Sequence, residues 1–451
     1  MALLIGTQVG LSDGLVLPAL VSQNGEGSFL LLYAFLKILF ILPILQAELV
    51  AGRLYRITPF EFSFMVLNRF WSRMMFGILL LALIFVLAIN LFNASWTLIF
   101  GIDGLRGELL HLRPLDQNLY WFEQSQNIYR IMSFVLIQGV LLMLLGGLAW
   151  RGIASIFVVL VLILVIFVLF CIPNIYQLFT LLHWPTLSYN NVLVAMQHAL
   201  TSSMVGLMVW YVLGTKVADH LPTARVIIAV QAFDLLFGLA LLSISWGWLG
   251  AQEVSVLDAG TVLRSLMASL ETADSLPLNV TLWLAVLCLV GIVSSLPLLL
   301  LVAEEAGEAL HQWMLAFTVI IAVVLGGVLI FSHGVFSPLT WYGRPLYDVL
   351  QRVSQGVIVP IITGCVAFWV GWIVWPNRVL QQVNPHGGIR YFLWRLSLKF
   401  VVPVVLGLVF ARAALSLLAV RLWQVMFGVL AVLLFIRLYQ WVKKRAMYPG
   451  L

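Results

Sequence analysis

A chain of 451 residues with 63% hydrophobic and only 9% charged side chains has too little polar surface for a soluble domain and reads as a polytopic membrane protein. Its net charge of +6 would suggest nucleic acid in a soluble protein, but here it fits basic loops on one side of a bilayer, so no nucleic-acid partner is expected. Cys171, Cys288 and Cys365 lie in apolar runs, without the spacing of a disulfide framework or a transition-metal centre.

About twenty apolar residues cross a hydrocarbon core. On that ruler the sequence predicts spans near 2–21, 28–52, 74–100, 129–149, 153–172, 189–214, 224–248, 278–303, 312–331, 347–373, 393–418 and 420–441. The first carries Gly10, Ser12, Asp13 and Gly14 together, ahead of Pro18. A glycine costs about 1 kcal/mol against alanine inside a helix, and an unpaired Asp at mid-bilayer at least about 2.5 kcal/mol. The cluster therefore predicts a helix broken near residues 11–14, where freed backbone groups meet an ion and a polar solute. The alternative is a kink with Asp13 satisfied by a neighbouring helix. Neither a basic leader nor a small-residue cleavage site accompanies this span, so it is expected to stay in the mature protein.

Lys37, early in the second span, is read as snorkelling to the outer surface. In the sixth span Thr201, Ser202, Ser203 and Gly206 form a small polar patch, matching either helix packing or a second break. Two interrupted spans, each opening a set of five, are the pattern of an inverted-repeat transporter with its site at the midplane. His198 has no spaced partner and is read as a lone packed histidine, and Glu304, Glu305 and Glu308 as a solvated end of the eighth span. With the N-terminus inside, Arg53, Arg56, Arg69, Arg73, Arg151, Lys216, Arg225 and the 443–445 cluster fall on the cytoplasmic side, so both termini are expected there.

The stretch VGLSDGLVLPALVSQNGEGSFLLLYAFLKILFILPILQAELVAGR, 9–53, resembles the first two helices of the neurotransmitter:sodium symporter family. Glu48 with Gly52 and Arg53 resembles the family's ending of the second helix, and Asn93, Ser95, Trp96 and Thr97 the end of the third. Gln197, Thr201 and Ser203 resemble the sixth, Asp234 the seventh, Gly291, Ser294 and Ser295 the eighth, and Asp348 the start of the tenth. The resemblance implies an all-α integral membrane protein of about twelve transmembrane helices, in a LeuT-like 5+5 inverted repeat with broken first and sixth helices. The repeats would be 1–172 and 189–373 of one transporter domain, with extra helices in 393–441.

It also implies sites. The first ion site would use the carbonyl of Gln8 and the side chains of Asp13, Thr201 and Asp234, hard oxygens that suit sodium. A weaker second site would use Gly6, Val9, Val290 and Ser294, where Val293 takes the place of one hydroxyl. The substrate pocket would be lined by Leu11, Ser12, Val86, Asn90, Leu200, Ser203, Gly206 and Ser295, with Gln197, Asp348 and Arg352 as gating residues. Three departures qualify this. Val16 stands where the family has the arginine that pairs with the tenth-helix Asp, leaving Arg352 as a local partner for Asp348. Asn90 stands at a tyrosine position and Gly206 at an aromatic one, implying a larger cavity less committed to a free carboxylate. Few residues precede Gly6, so the family's inner latch is expected to be missing and the resting state to open inward.

The expected function is sodium-coupled symport of a small amino-acid-like or amine solute. Sodium would be the coupling ion, with no organic cofactor and no enzymatic chemistry. A multi-pass protein of a prokaryotic inner membrane is implied, with a homo-oligomer possible. Two rivals remain: a proton-coupled transporter using Asp13 or Asp234, and a non-transporting relative acting as receptor or subunit.

Overall fold

The computed structural model describes residues 8, 10–66, 68–108, 114–146, 150–170, 188–218, 221–249, 277–331, 338–341, 343–374 and 388–418. These are helical apart from connecting turns and one two-stranded hairpin, Thr340–Trp341 with Arg344–Pro345. The helices are α1 Leu11–Asn24, α2 Glu26–Tyr55, α3 Pro59–Val66, α4 Arg69–Leu105, α5 Pro114–Gln126, α6 Ile128–Gly146 and α7 Trp150–Phe170. After them come α8 Tyr189–Ser202, α9 Val209–Lys216, α10 Thr223–Leu249, α11 Pro277–Phe331, α12 Leu346–Ile373 and α13 Tyr391–Leu417. Among the described residues, seven helical segments are long and apolar enough to cross a membrane. Exposed apolar side chains such as Phe35, Leu144, Leu236 and Val404 suit a surface whose solvent is lipid. The last expected span, 420–441, lies outside the described residues.

Spans eight and nine were expected as separate helices, yet α11 is helical throughout its 55 residues. A straight helix of that length would be roughly 80 Å long, far beyond a hydrocarbon core of about 30 Å. Contacts on α6 show that the chain reverses within it. Gln138 and Gly146 meet Cys288 and Leu299 in ascending order, whereas Met132 and Gly139 meet Gly327 and Val323 in descending order. The reversal falls between Leu299 and Val323, and the two expected crossings correspond to the apolar segments Leu282–Val302 and Leu315–Leu329.

Two compact units emerge, each assembled from separated stretches of chain. The first comprises Met1–Phe35, Ile84–Ser203 and Val230–Tyr347. Its interior is tied by polar groups that must find partners away from water. Ser95 donates to Gln138 Oε1 at 3.3 Å, and Gln138 Nε2 donates to Cys288 Sγ at 3.7 Å. Beyond the membrane spans, α5 is anchored by the Tyr120 hydroxyl, which donates to Asp103, while Arg130 pairs with the same carboxylate and with Gln124. Burial, then the Asp103 carboxylate, push the Tyr120 phenol pKa up, so it remains a donor across the physiological range.

The second unit comprises Leu36–Leu83, Met204–Ala229 and Asp348–Leu451. Three of its prolines explain its irregular helices. Proline lacks an N–H and clashes with the carbonyl four residues back, which a widened turn relieves. Such π turns occupy Lys37–Ile41, Arg352–Ile358 and Ser397–Val401, each ending two residues before Pro43, Pro360 and Pro403 respectively. Trp394 Nε1 donates to the Pro43 carbonyl at 3.0 Å. Lys37, in the first of these turns, is only 1% exposed, so the snorkelling expectation is corrected.

The segment 203–208 between α8 and α9 is not helical, and Met204, Gly206 and Met208 take positive φ. The expected sixth-span break is therefore present. Its second-unit part is held by α2, where Glu48, fully buried, accepts from the Gly206 N–H at 2.7 Å. Replacing Glu48 by Ala leaves that buried donor unpaired, at about 1–3 kcal/mol. A lower melting temperature in detergent is expected, largely restored in Glu48→Gln, which keeps an acceptor; equal losses in both variants would contradict the role.

Candidate functional site

The site is built at the start of α1. Gly10 precedes the helix in extended conformation, φ −107° and ψ 149°, and its carbonyl accepts from Asp13 N–H at 3.1 Å. Residues 11–14 thus form the first turn of α1, which corrects the expectation of a break near 11–14. The position suits Asp13, because free N–H groups and the positive end of the helix dipole favour a carboxylate in a first turn. The far end closes at Gly25, φ +105°, where Asn191 Nδ2 on α8 donates to the Asn24 carbonyl at 2.6 Å.

Asp13 is 1% exposed and is reached from two other helices. The Tyr33 hydroxyl on α2 donates to Asp13 Oδ1 at 3.3 Å and lies 3.0 Å from Ser202 Oγ on α8. His198 Nε2 stands 3.6 Å from the same Oδ1, and its ring packs on Tyr33 with centroids 5.3 Å apart. His198 is thus no isolated core residue: it abuts the central carboxylate. Its spacing of three and four residues before Thr201 and Ser202 puts all three on one helix face, a signal that the sequence does contain. Tyr33 has no such local signature.

The other carboxylate oxygen faces the break. A β-carbon placed on Gly10 would stand 3.8 Å from Asp13 Oδ2, 3.8 Å from the Gln8 carbonyl and 3.3 Å from Ser12 Oγ. Three oxygens thus lie within 4 Å of the point that a side chain at position 10 would occupy. Two of the expected first-ion-site ligands, Gln8 and Asp13, are brought together there. The Gln8 amide donates to the Ser203 carbonyl at 3.4 Å, at the opening of the other broken segment.

Thr201 Oγ1 donates to the His198 carbonyl at 3.0 Å, which leaves its lone pairs as acceptors. Asp234 is buried and accepts from Gln231 Nε2 at 2.8 Å, one turn earlier on α10. At the expected second site Val290 and Ser294 are buried, and Ser294 Oγ donates to the Gly291 carbonyl at 3.1 Å. Gly6 and Val9 lie outside the described residues.

Of the expected pocket, Asn90 and Ser295 meet, with Asn90 Nδ2 donating to Ser295 Oγ at 3.3 Å. Leu11, Val86, Leu200 and Ser203 are buried, and Ser12 and Gln197 are half-buried. Gly206 behaves differently from expectation. Its φ is +78°, and a β-carbon there would overlap Thr363 Oγ1 and crowd the Val359 carbonyl at 2.8 Å. That space is filled by α12 of its own unit, so this glycine serves close backbone approach and does not enlarge a cavity on that side. Asp348 lies in the first turn of α12, and Arg352 opens the π turn that follows it.

Gly10→Ala tests the oxygen cluster. Alanine accepts the φ and ψ at this position, so the ion-free protein should be as stable or slightly more stable, by about 0.4–1 kcal/mol. The methyl group would sit among the three oxygens. The half-saturating sodium concentration in a melting-temperature titration is expected to rise severalfold; an unchanged value would remove the cluster as a cation site.

No family model and no curated protein matches the sequence. Among solved structures, the crystal structure of MhsT in complex with L-phenylalanine is similar, with a TM-score of 0.78, over 91% of this chain and 97% of that one, at 18% identity. At that identity the likeness speaks to fold. The chain has the all-α, multi-pass LeuT-type membrane fold, with its sixth span interrupted between α8 and α9 and Asp13 in the first turn of α1.

Proposed function

We propose that the chain is a sodium-coupled symporter of a small amino-acid-like or amine solute, working by alternating access in a cell membrane. The observation that carries this reading is the oxygen cluster at Gly10, where Asp13 Oδ2, the Gln8 carbonyl and Ser12 Oγ converge on one space beside an interrupted helix. Hard oxygen ligands suit a hard alkali cation. Gln8 and Asp13 would hold it, with Thr201 and Asp234 completing the set. A bound sodium ion would supply the positive charge that keeps the Asp13 carboxylate satisfied away from water.

The residues then couple ion to solute. Gln8 joins the first break to Ser203 at the second, so order imposed at Gly10 is transmitted to Ser203 and to the neighbouring Ser12. Asn90 and Ser295 offer further polar groups in the same unit. Ordering one site lowers the cost of ordering the other, which is positive coupling. The solute class is supported by the L-phenylalanine held by MhsT.

Uptake into proteoliposomes, measured for a panel of amino acids and amines under separately imposed sodium and proton gradients, tests the reading. Sodium-driven uptake of at least one is expected. Uptake driven by a proton gradient alone would replace sodium as the coupling ion, and saturable binding without uptake would make the chain a receptor.

A further inference from the structure

We propose that Tyr33 and His198 are positioning residues that decide which oxygen of Asp13 meets the cation. The inference rests on the cation reading above and adds to it two side chains that carry no ligand role. An Asp carboxylate turns about a broad, two-fold torsion, so nothing in its own chemistry presents one oxygen rather than the other. The surroundings break this symmetry. Oδ1 receives the Tyr33 hydroxyl at 3.3 Å and faces His198 Nε2 at 3.6 Å. Oδ2 is left toward the Gln8 carbonyl and Ser12 Oγ at Gly10.

The supports come from two elements other than the one that carries Asp13. Ser202 Oγ lies 3.0 Å from the Tyr33 oxygen and 3.5 Å from the Ala199 carbonyl, so it holds the phenol oxygen in place beside Asp13. The imidazole packs on the Tyr33 ring, 5.3 Å between centroids and 37° between planes. Tyr33, His198 and Ser202 are all at most 5% exposed, so water does not compete for Oδ1 and the arrangement is fixed by packing. A neutral hydroxyl on the far oxygen also leaves the carboxylate's charge in place for a monovalent partner. Groups that orient a ligand in this way commonly alter metal affinity by about 10–100-fold when removed.

Tyr33→Phe removes the hydroxyl and keeps the ring packing. Sodium binding is read from radioactive sodium retention and from sodium-dependent melting temperature, beside the melting temperature of the ion-free protein and the relative affinities for sodium and lithium. The expected result is a rise of about tenfold in half-saturating sodium, a shifted sodium-to-lithium ratio and an ion-free melting temperature lowered by too little to account for the affinity change. Ser202→Ala, which removes the hydroxyl beside the Tyr33 oxygen, should shift the affinity in the same direction by less. Unchanged affinity and selectivity in both variants would overturn the proposal, as would a loss of ion-free stability that accounts for the whole affinity change. Absence of sodium binding in the unaltered protein would instead overturn the cation reading itself, and this inference with it.

Discussion

Asp13→Ala is expected to abolish sodium-dependent ligand binding, with an affinity loss beyond about 100-fold, or about 2.7 kcal/mol. The size follows from what Asp13 does. It is the one carboxylate among the oxygens at Gly10, and it is 1% exposed. Its removal also takes away the carboxylate that accepts from the Tyr33 hydroxyl and faces His198. Asp13→Asn retains an oxygen at this position and should be milder, losing charge but not shape. Equilibrium binding of a transported ligand in sodium and in choline, for the unaltered chain and both variants, checks the order. Equal ligand affinity in both salts would remove Asp13 from the coupling site.

The second large effect concerns stability. Gly52→Val is expected to prevent assembly of the second unit or to cost more than the about 0.5–3 kcal/mol of ordinary substitutions. At Gly52 a β-carbon would overlap the Tyr211 carbonyl, and at Gly214 one would overlap the Leu49 carbonyl. The two helices thus lie backbone against backbone through reciprocal glycines, the close approach that small residues allow in membranes. Backbone atoms cannot rotate aside as a side chain end can. Arg53 Nη1, which donates to the Leu221 carbonyl at 2.7 Å, and Glu48 at Gly206 would be displaced with them. Gly407→Val is the control, since nothing lies within 4 Å of a β-carbon there. Melting temperature and the fraction of monodisperse protein in detergent should separate the two, and similar values for both would contradict the packing account.

Hydrophobic segment length made most of the spans legible, because a bilayer imposes one ruler on every crossing. The irregular regions around Gly10 and Gly206 were legible for a related reason: Gly10 with Asp13, and Ser202 with Gly206, are poor choices for an uninterrupted apolar helix. Their details were not. Asp13 reads equally well as the cause of a break or as a first-turn residue just after one, and only the extended Gly10 decides between them. Gly206 looked like a vacated aromatic position, whereas its positive φ and the Val359 carbonyl make it a backbone requirement.

The candidate site was half legible. Gln8 and Asp13 were assigned by resemblance and do converge. Tyr33 and His198 were missed because their relation to Asp13 is made by tertiary packing across α1, α2 and α8, and no periodicity in one helix encodes it. The buried Lys37 was misread because depth along a span was taken as the only coordinate. Azimuth, altered here by the π turn before Pro43, decides whether a side chain faces lipid, water or protein.

The central claim is that Asp13 and its neighbours at Gly10 hold a sodium ion that the solute needs. Radioactive sodium binding to the purified protein, with and without a transported ligand and compared with Asp13→Ala, tests it most directly. Saturable sodium binding that tightens when the ligand is present and disappears in Asp13→Ala is the predicted result. Sodium binding of equal strength in the unaltered protein and in Asp13→Ala would contradict it.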